Sequence, residues 1–359
     1  MDLKEISLVI PTYNERENLP VIMERISGSL TNYEYEVVVV DDNSLDGTGQ
    51  LADELSKEYP IRVIHRACKE GLASAVVDGY KLAEGEILGV LDADLQHPPE
   101  KIPILLNEIK NGNDIAIASR YIKSSGIENW SIKRKIISRG SMILAYLIFP
   151  KIRQIKDPLS GFFLIRRSVI NDVRLNPVGY KILLEILVKG RYSNVVEVPY
   201  LFRNRNAGKS NLNIKEQVNY LKHLYLMAKK GEEIKSLIKF GLVGIIGIFV
   251  NEGILYLLTE HAGWFYLISS VMAIQSAILN NFIFNHVWTF KERRSESLSL
   301  LNRLGRFELI SITGAAASII LLFILTSLFG IHYLKSNLIA IMVTFMINFS
   351  GNNLWTWRK

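Results

Sequence analysis

The segment Ile87-Leu-Gly-Val-Leu-Asp-Ala-Asp-Leu-Gln-His-Pro98 joins a short apolar run to two carboxylates, and it decides the fold. A continuous apolar run of this length, bounded by turn-forming residues, is typical of a strand buried on both faces. Because side chains alternate along an extended backbone, Asp92 and Asp94 point the same way at the carboxyl end of that strand. Ligands of open α/β sheets bind at that edge, so the segment predicts a parallel sheet and a binding site together.

Residues 1–200 repeat this arrangement, with short apolar runs separated by helix-length amphipathic segments. Such alternation is typical of βαβ units, and it predicts an α/β domain with a mostly parallel, Rossmann-like sheet. Helices are predicted near 16–30, 47–58, 70–84 and 98–110. The other predicted strands are Ile6–Ile10, Val37–Val40, Ile61–Ile64 and Ile115–Ala118.

Composition divides the chain into two parts. The 359 residues carry a net charge of +7, 49% hydrophobic side chains and one cysteine, which excludes a disordered chain and a disulfide-stapled miniprotein. Only 13 of the 77 charged residues follow Phe240, so the first part is expected in water and the last third in lipid. No secretory signal opens the sequence, and the first domain is therefore expected to fold in the cytoplasm.

Four apolar segments near 240–259, 264–288, 307–329 and 336–356 are each long enough to cross a bilayer. A soluble helix bundle is the alternative, but four such runs in succession would leave it no polar faces. Basic residues precede the first span, fill the second connection and end the chain, whereas the opposite connections hold only Lys335. The positive-inside rule therefore predicts that both termini and the soluble domain are cytoplasmic.

The four spans contain an internal repeat. A shift of 67 residues maps Asn281-Phe282 onto Asn348-Phe349, and Trp288-Thr289-Phe290 onto Trp355-Thr356-Trp357. The repeat predicts an all-α transmembrane domain of four helices, arranged as two tandem hairpins of like orientation. The expected domain bounds are 1–211 for the soluble domain, 212–235 for an amphipathic linker and 236–359 for the transmembrane domain.

Two further polar loops follow predicted strands, Pro11-Thr-Tyr-Asn-Glu15 and Asp41–Thr48. Both could be ordinary turns, but loops at the carboxyl ends of one sheet converge on one cleft, where a nucleoside needs hydrogen-bonding groups. With Gln96, the aligned carboxylates form an all-oxygen set that suits Mg²⁺ or Mn²⁺ bridging to phosphate, although Asp94 could instead cap the following helix. No Gly-x-Gly-x-x-Gly or Walker lysine loop is present, which excludes dinucleotide dehydrogenases and P-loop NTPases.

These motifs, with Ala118-Ser-Arg-Tyr121 and Asp157-Pro-Leu-Ser-Gly-Phe162, resemble the inverting GT-A fold glycosyltransferases of family two, and among them the dolichyl-phosphate mannose synthases. The last third is similar to the small four-helix membrane proteins that accompany polyprenyl-phosphate sugar synthases. The resemblance implies a GT-A domain that transfers mannose from GDP-mannose to dolichyl phosphate with inversion. It implies catalytic roles for Asp94, Arg120 and Arg134; donor binding by Pro11, Tyr13, Glu15, Val40, Asp42, Asp92, Ala93, Arg205 and Lys209; acceptor-phosphate binding by Arg120, Arg134 and Ser138; and Mg²⁺ or Mn²⁺ on Asp92, Asp94 and Gln96.

Two alternatives stay open from the residues themselves. The donor could be UDP-glucose and the acceptor another polyprenyl phosphate, because nothing in the loops selects the base or the sugar. From another class, the chain could be a flippase of lipid-linked sugar whose soluble half is only a sensor. A processive polysaccharide synthase is disfavoured, because the chain lacks the Gln-x-x-Arg-Trp motif of resembling synthases.

Charge explains how such an acceptor would react. A phosphate monoester is already ionised near neutral pH, so it needs no general base, but it needs cations that hold it against an anionic donor. Arg120 and Arg134 suit that task, although Arg134 and its basic neighbours could merely face anionic headgroups. Arg203–Ser210 is expected to form a lid over the diphosphate, with a solvated linker as the alternative.

Two basic, amphipathic stretches, 131–150 and 213–230, are expected to lie in the membrane interface. A core helix is the alternative for the second. The surplus positive charge is therefore assigned to the lipid bilayer and anionic substrates and not to nucleic acid, because it clusters beside the spans. The sequence does not disclose an oligomeric state.

Overall fold

A computed structural model of the chain describes residues 4–128, 130–203, 214–228, 232–293 and 298–357. The chain divides into two compact units, Met1–Ala228 and Lys229–Lys359. Each unit has its own buried cluster, which is aliphatic for the most part in the first and entirely aromatic in the second.

The first unit is built on a seven-stranded sheet with the order β3-β2-β1-β4-β7-β5-β8. All pairs are parallel except those that β7 makes with β4 and β5. The predicted Rossmann-like, mostly parallel sheet is thus confirmed. The strands are β1 Ile6–Thr12, β2 Tyr35–Asp41, β3 Ile61–His65, β4 Ile87–Val90, β5 Ile115–Ser119, β6 Gly126–Ile127, β7 Phe163–Arg166, β8 Val195–Pro199 and β9 Leu201–Phe202, where β6 and β9 form a separate parallel pair.

Burial explains which strands the sequence revealed. Every residue of β1 is buried, so the strand appears in the sequence as a continuous apolar run. The sequence pattern missed β7 and β8. The first is a four-residue antiparallel insertion, and the second is a half-buried edge strand interrupted by Glu197, so neither carries a strong local signal.

Helices cover the first unit's sheet, and turn chemistry sets several of their starts. Gly47 precedes the second helix with a φ of +85°, a conformation that glycine adopts without strain. The fourth helix was predicted from Pro98, but a 3₁₀ turn at Pro99–Lys101 comes first. The helices are α1 Leu19–Ser29, α2 Thr48–Leu55, α3 Leu72–Leu82, α4 Ile102–Lys110, α5 Ile132–Ile148, α6 Ile182–Lys189 and α7 Ile214–Ala228.

The helix α7 lies within the predicted amphipathic helix or linker 212–235, and it packs as part of the first unit. The Tyr220 hydroxyl donates to the Ser141 carbonyl of α5 at 2.6 Å. His223 Nε2 lies 3.2 Å from a carboxylate oxygen of Glu185 in α6, and both side chains are buried. These contacts, made by residues distant in sequence, fix α7 against α5 and α6.

The second unit consists of α8 Glu232–Tyr256, α9 Tyr266–Phe284, α10 Leu300–Phe323 and α11 Tyr333–Gly351. Four described segments are long and apolar enough to cross a membrane. Their elements recur 67 residues apart: α9 begins at Tyr266 and α11 at Tyr333, and π-helical turns follow both, at Asn285–Thr289 and Asn352–Thr356.

Candidate active site

A cavity of about 920 Å³ opens at the carboxyl ends of the first unit's parallel strands. Loops after β1, β2, β4 and β5 form one side, and α5, the loop 177–181 and the start of α7 form the other. The cavity is therefore at the edge of the sheet where open α/β folds bind ligands. The predicted site residues that line it are Pro11, Tyr13, Glu15, Asp42, Asp92, Ala93, Asp94, Gln96, Arg120, Arg134 and Ser138.

Three predicted donor residues are not among the lining residues. Val40 is fully buried inside β2, and its side chain packs beside Gly79 of α3. The alternation of an extended strand turns Val40 toward the core. Arg205 and Lys209 lie outside the described residues.

The loops after β1 and β2 are joined to each other. The backbone amide of Glu15 donates to the Thr48 hydroxyl at 3.0 Å, and that of Asn14 donates to the Ser44 hydroxyl at 2.9 Å. Asn14 itself has a φ of +56°, in the left-handed region that asparagine tolerates. The turn-forming residues therefore have a structural role here, and that role places Tyr13 and Glu15 at the cavity.

Asp42 has both carboxylate oxygens engaged by a single loop. Oδ1 accepts from Arg66 Nη1 at 2.8 Å and from the Glu70 amide at 2.9 Å, while Oδ2 accepts from the Gly71 amide at 2.8 Å. Asp42 thus holds the segment 66–71, which forms part of the cavity wall. In that segment Lys69 places its ammonium 3.2 Å from the centre of the Tyr13 ring, a contact that no motif indicated.

Asp92 and Asp94 both line the cavity, but strand alternation does not set their directions, because β4 ends at Val90 and Asp94 lies in a turn. Asp94 Oδ1 accepts from the backbone amide of Gln96 at 3.1 Å, within a turn in which Leu95 has a φ of +62°. Gln96 Nε2 donates to the Arg203 carbonyl at 2.9 Å, so the amide group has a fixed orientation. A Cβ at Gly161 would come within 3.0 Å of Asp92 Oδ2, so the absence of a side chain there keeps the first carboxylate accessible.

These residues fit a divalent cation that completes its coordination with substrate. Among the described residues no group of three or more His, Cys, Asp and Glu side chains could hold a metal. Two carboxylates and an amide are all hard oxygen donors, and Mg²⁺ usually binds through one or two carboxylates plus water and phosphate oxygens. The two carboxylates and the amide therefore suit a cation that takes its remaining ligands from water and from the oxygens of a diphosphate.

His97 is a buried part of the same loop that the sequence did not single out. Its Nδ1 accepts from the Asp92 backbone amide at 3.3 Å, and its ring packs against Phe162, Tyr200 and Phe202. Burial lowers the pKa of His97 to about 4, so the imidazole is neutral at physiological pH. A neutral ring with an accepting Nδ1 supports the position of Asp92.

Arg120 is paired inside the protein. Its Nε and Nη2 each donate to the Asp157 carboxylate at 2.8 Å, in a bidentate arrangement, and its backbone amide donates to Oδ2 at 3.0 Å. Both side chains are buried. Asp157 thus forms an internal ion pair, and most of the Arg120 charge is balanced before any substrate binds.

The other two predicted acceptor residues lie on α5. Arg134 places its guanidinium 4.2 Å from the centre of the Trp130 ring. Ser138 lies one turn after Arg134 on α5, and its hydroxyl is 2.9 Å from the Tyr121 hydroxyl. A cation and a hydroxyl on one helical face form a surface that suits an oxygen-rich anion.

The cavity contains cationic and aromatic residues that no motif indicated, namely Lys69, Trp130 and Lys181. Each comes from a loop with no compositional signature. Only the tertiary structure brings them to the space between the acidic pair and α5.

Comparison with known proteins follows the division into two units. Residues 7–174 match the family described as Glycosyl transferase family 2, and residues 239–357 match the family GtrA/DPMS, transmembrane domain. The chain is 48% identical to the dolichol-phosphate mannosyltransferase of Pyrococcus furiosus, over 98% of this chain and 99% of that protein. It is 33% identical to the dolichol-phosphate mannosyltransferase of Mycosarcoma maydis, over 68% of this chain and 83% of that protein.

Among solved structures, the first unit is similar to glucosyl-3-phosphoglycerate synthase from Mycobacterium tuberculosis, crystallised with Mn²⁺, UDP-glucose and phosphoglyceric acid. The TM-score is 0.50 at 19% sequence identity, over 63% of this chain and 80% of that chain. This likeness shows the fold alone.

Proposed function

Because this chain belongs to the dolichol-phosphate mannosyltransferases of glycosyl transferase family 2, we propose that it transfers mannose from GDP-mannose to dolichyl phosphate, giving dolichyl β-D-mannosyl phosphate. The observation that carries the proposal is a single cavity with an acidic pair on one side and a cationic helix on the other. Asp92 and Asp94 suit a metal-bound diphosphate, and Arg134 suits a phosphate monoester.

On the donor side, Pro11, Tyr13 and Glu15 would contact the nucleoside. The segment 66–71, which Asp42 holds, would line one side of that nucleoside site. Asp92, Asp94 and Gln96 would hold Mg²⁺ or Mn²⁺, which supplies positive charge to the diphosphate as it leaves. Arg205 and Lys209 are proposed to reach the same diphosphate from the segment that follows β9.

On the acceptor side, the lipid phosphate is the nucleophile. Its oxygen attacks the anomeric carbon from the face opposite the diphosphate, so the configuration inverts and no side chain has to remove a proton. Arg134 and Ser138 would bind that phosphate. Arg120, fixed by Asp157, would present one edge of a rigid guanidinium to it.

The chain is a membrane protein, with four apolar helices and a matching transmembrane domain. We propose that the catalytic domain and both termini are cytoplasmic, because basic residues flank one end of the spans and Lys335 is alone at the other. We also propose that α5 and α7 lie at the lipid surface. Both expose large apolar side chains, among them Ile136 at 65% and Leu221 at 53%. The division into 1–211, 212–235 and 236–359 stays part of this proposal.

The experiment is a transfer assay with membranes that contain the full chain. Labelled GDP-mannose or UDP-glucose is supplied with dolichyl phosphate, with Mn²⁺ or Mg²⁺ or with a chelator, and label is counted in the lipid phase. GDP-mannose is expected to label lipid in a metal-dependent manner. Preferential transfer from UDP-glucose would support the rival donor, and no transfer from either donor would favour the flippase alternative.

Asp94→Ala tests the site itself, with Asp53→Ala as the matched control because Asp53 is an exposed acid on α2. Removing one electrostatic partner of a developing charge costs about 10²–10³-fold in rate, so Asp94→Ala is expected to lose at least that much. Asp53→Ala is expected to retain wild-type transfer. Undiminished transfer by Asp94→Ala would overturn the catalytic interpretation.

A further inference from the structure

Lys181 is a cavity residue with no assigned role in the transfer. It directly precedes α6 and lies half-buried in the cavity wall. Its ammonium donates to the Leu159 carbonyl at 3.0 Å and lies 4.3 Å from the centre of the Tyr180 ring. Within the part of the chain that the structure describes, no carboxylate lies within ion-pair distance of it.

The segment that anchors Lys181 also contacts both sides of the cavity. Asp157, two residues before Leu159, holds Arg120 on the acceptor side. Gly161, two residues after it, lies against the carboxylate of Asp92 on the donor side. The ammonium of Lys181 is therefore attached to the segment that contacts both Arg120's partner and Asp92.

The negative charges of the two substrates indicate a role for the Lys181 ammonium. The transfer brings a diphosphate and a phosphate monoester into one cavity, and their mutual repulsion must be offset. Arg120 is balanced by Asp157 at hydrogen-bond distance, whereas the direct contacts of the Lys181 ammonium among the described residues are a carbonyl and a ring, and Asp157 and Asp92 influence it from farther away. An ammonium with a neutral carbonyl partner can exchange or add a charge-assisted hydrogen bond when a phosphate oxygen arrives.

We propose that Lys181 binds a phosphate oxygen at the reacting centre and stabilises the negative charge that the transfer moves. The proposal rests on the proposed function. In that reaction the bond from the acceptor oxygen to the anomeric carbon forms, and the bond from that carbon to the donor diphosphate breaks. The nucleoside diphosphate leaves with the electron pair, and Lys181 neither gains nor loses a proton in the step.

The environment of the ammonium supplies an independent readout. Burial lowers the pKa of Lys181 to about 7, and the charged groups that face it are Arg120, Asp157, Asp92 and Arg134. In the free enzyme the ammonium therefore loses its charge as the pH rises above about 7. Anion binding that depends on Lys181 should weaken over the same range, and kcat/KM reports the free enzyme.

The test compares Lys181→Met and Lys181→Arg with Lys151→Met. Lys151 is a matched control, because its ammonium also contacts a carbonyl, Gly190 at 3.3 Å, and a tyrosine ring, Tyr192 at 4.2 Å, but it does not line the cavity. Transfer is measured with GDP-mannose and a short-chain polyprenyl phosphate, and binding of GDP with Mn²⁺ is measured by calorimetry.

Lys181→Met is expected to lower kcat/KM by about 10–100-fold, the loss of one hydrogen bond to a charged group, whereas Lys151→Met keeps the wild-type value. Weaker GDP binding would assign the contact to the donor diphosphate. A raised KM for the lipid phosphate with unchanged GDP binding would assign it to the acceptor. Wild-type GDP affinity together with wild-type kcat and KM values in Lys181→Met would overturn the proposal.

Lys181→Arg keeps the test decisive if Lys181→Met folds poorly, because arginine stays charged. It is expected to retain part of the activity and to remove the decline of kcat/KM above about pH 7. An unchanged decline would overturn the proposal. If the wild type transfers nothing from GDP-mannose, the proposed function fails, but GDP binding by wild type and variants still tests Lys181.

Discussion

The two units bury polar groups in different ways. The first buries ionised side chains as partners, such as Arg120 with Asp157 and Arg66 with Asp42. The second buries mainly neutral amides and hydroxyls, with Arg303 as a charged exception. The buried neutral side chains of the second unit are Ser236, Ser269, Asn285, Thr289, Ser336, Asn352, Asn353 and Thr356.

The surrounding medium accounts for this difference. In lipid no water can satisfy a polar group that loses its partner, so uncharged groups that bond within their own helix are preferred. Asn352 Nδ2 donates to the Asn348 carbonyl at 2.8 Å, one turn back on its own helix. The apolar residues show the same contrast, since β1 is entirely buried whereas Phe249 is 74% exposed on α8. The buried ion pairs described here, Arg120–Asp157 and Arg66–Asp42, both lie in the first unit.

The largest expected effect breaks the first unit's charge pairing. Asp157→Ala leaves Arg120 buried without its bidentate partner, so the first unit is expected to lose about 3–5 kcal/mol of stability. Hydrogen exchange of the β4 and β5 amides, measured by mass spectrometry in detergent, reports the stability of that unit separately.

The double variant Arg120→Met/Asp157→Leu is the control, because apolar replacement of both partners removes the uncompensated charge. Its exchange is expected to return toward wild type while transfer stays low, since the guanidinium is lost from the cavity. Normal exchange in Asp157→Ala alone would contradict the interpretation of this pair as structural.

The next effect concerns close packing in the second unit. A Cβ at Gly247 would collide with the side chain of Asn281, and one at Gly314 with that of Asn348. Alanine at either position is expected to cost about 1–3 kcal/mol by overpacking. Gly314 and Asn348 lie 67 residues after Gly247 and Asn281, so the two close contacts occupy equivalent positions of the repeat. The two variants should therefore destabilise their hairpins by similar amounts.

Gly253→Ala is the matched control, because Gly253 also lies on α8 and a Cβ there would meet no neighbouring atom within 4 Å. It should leave the unit unchanged or stabilise it by up to about 1 kcal/mol through helix propensity. Thermal unfolding in detergent measures all three variants. A stability loss in Gly253→Ala as large as in Gly247→Ala would show that close packing is not the cause.

The last effect is pH-dependent and concerns His97. The folded state keeps the imidazole neutral to about pH 4, whereas an unfolded histidine takes up a proton near pH 6.5. The unfolded state therefore binds more protons between these values, and stability falls as the pH is lowered through them, by at most about 1.4 kcal/mol per pH unit.

His97→Phe should remove this component, because phenylalanine does not titrate and fits among Phe162, Tyr200 and Phe202. Unfolding of the first unit, followed by hydrogen exchange from pH 7 to 4.5, compares variant and wild type. Equal pH dependence in the two proteins would contradict a neutral buried His97.

Local sequence predicted most of the fold for a physical reason. The strands β1, β2, β4 and β5 contain continuous apolar runs because nearly all of their residues are buried. The half-exposed edge strand β3 still carries three apolar residues, Ile61, Val63 and Ile64, and Asp92 and Asp94 follow β4 closely in sequence. The same reason explains the four apolar helices, since lipid requires about 20 apolar residues in succession. These features depend on near neighbours along the chain, and a single sequence contains them.

Tertiary structure alone decided which charges are available to substrate. Folding pairs Arg120 with Asp157 and commits Asp42 to the segment 66–71, and it brings Lys181, which no sequence motif indicated, to the wall of the cavity. Whether a charged side chain pairs inside the protein or faces the cavity depends on residues that are distant in sequence. The hydrophobic periodicity of the sequence predicts which residues are buried, but it does not predict which buried residues contact each other.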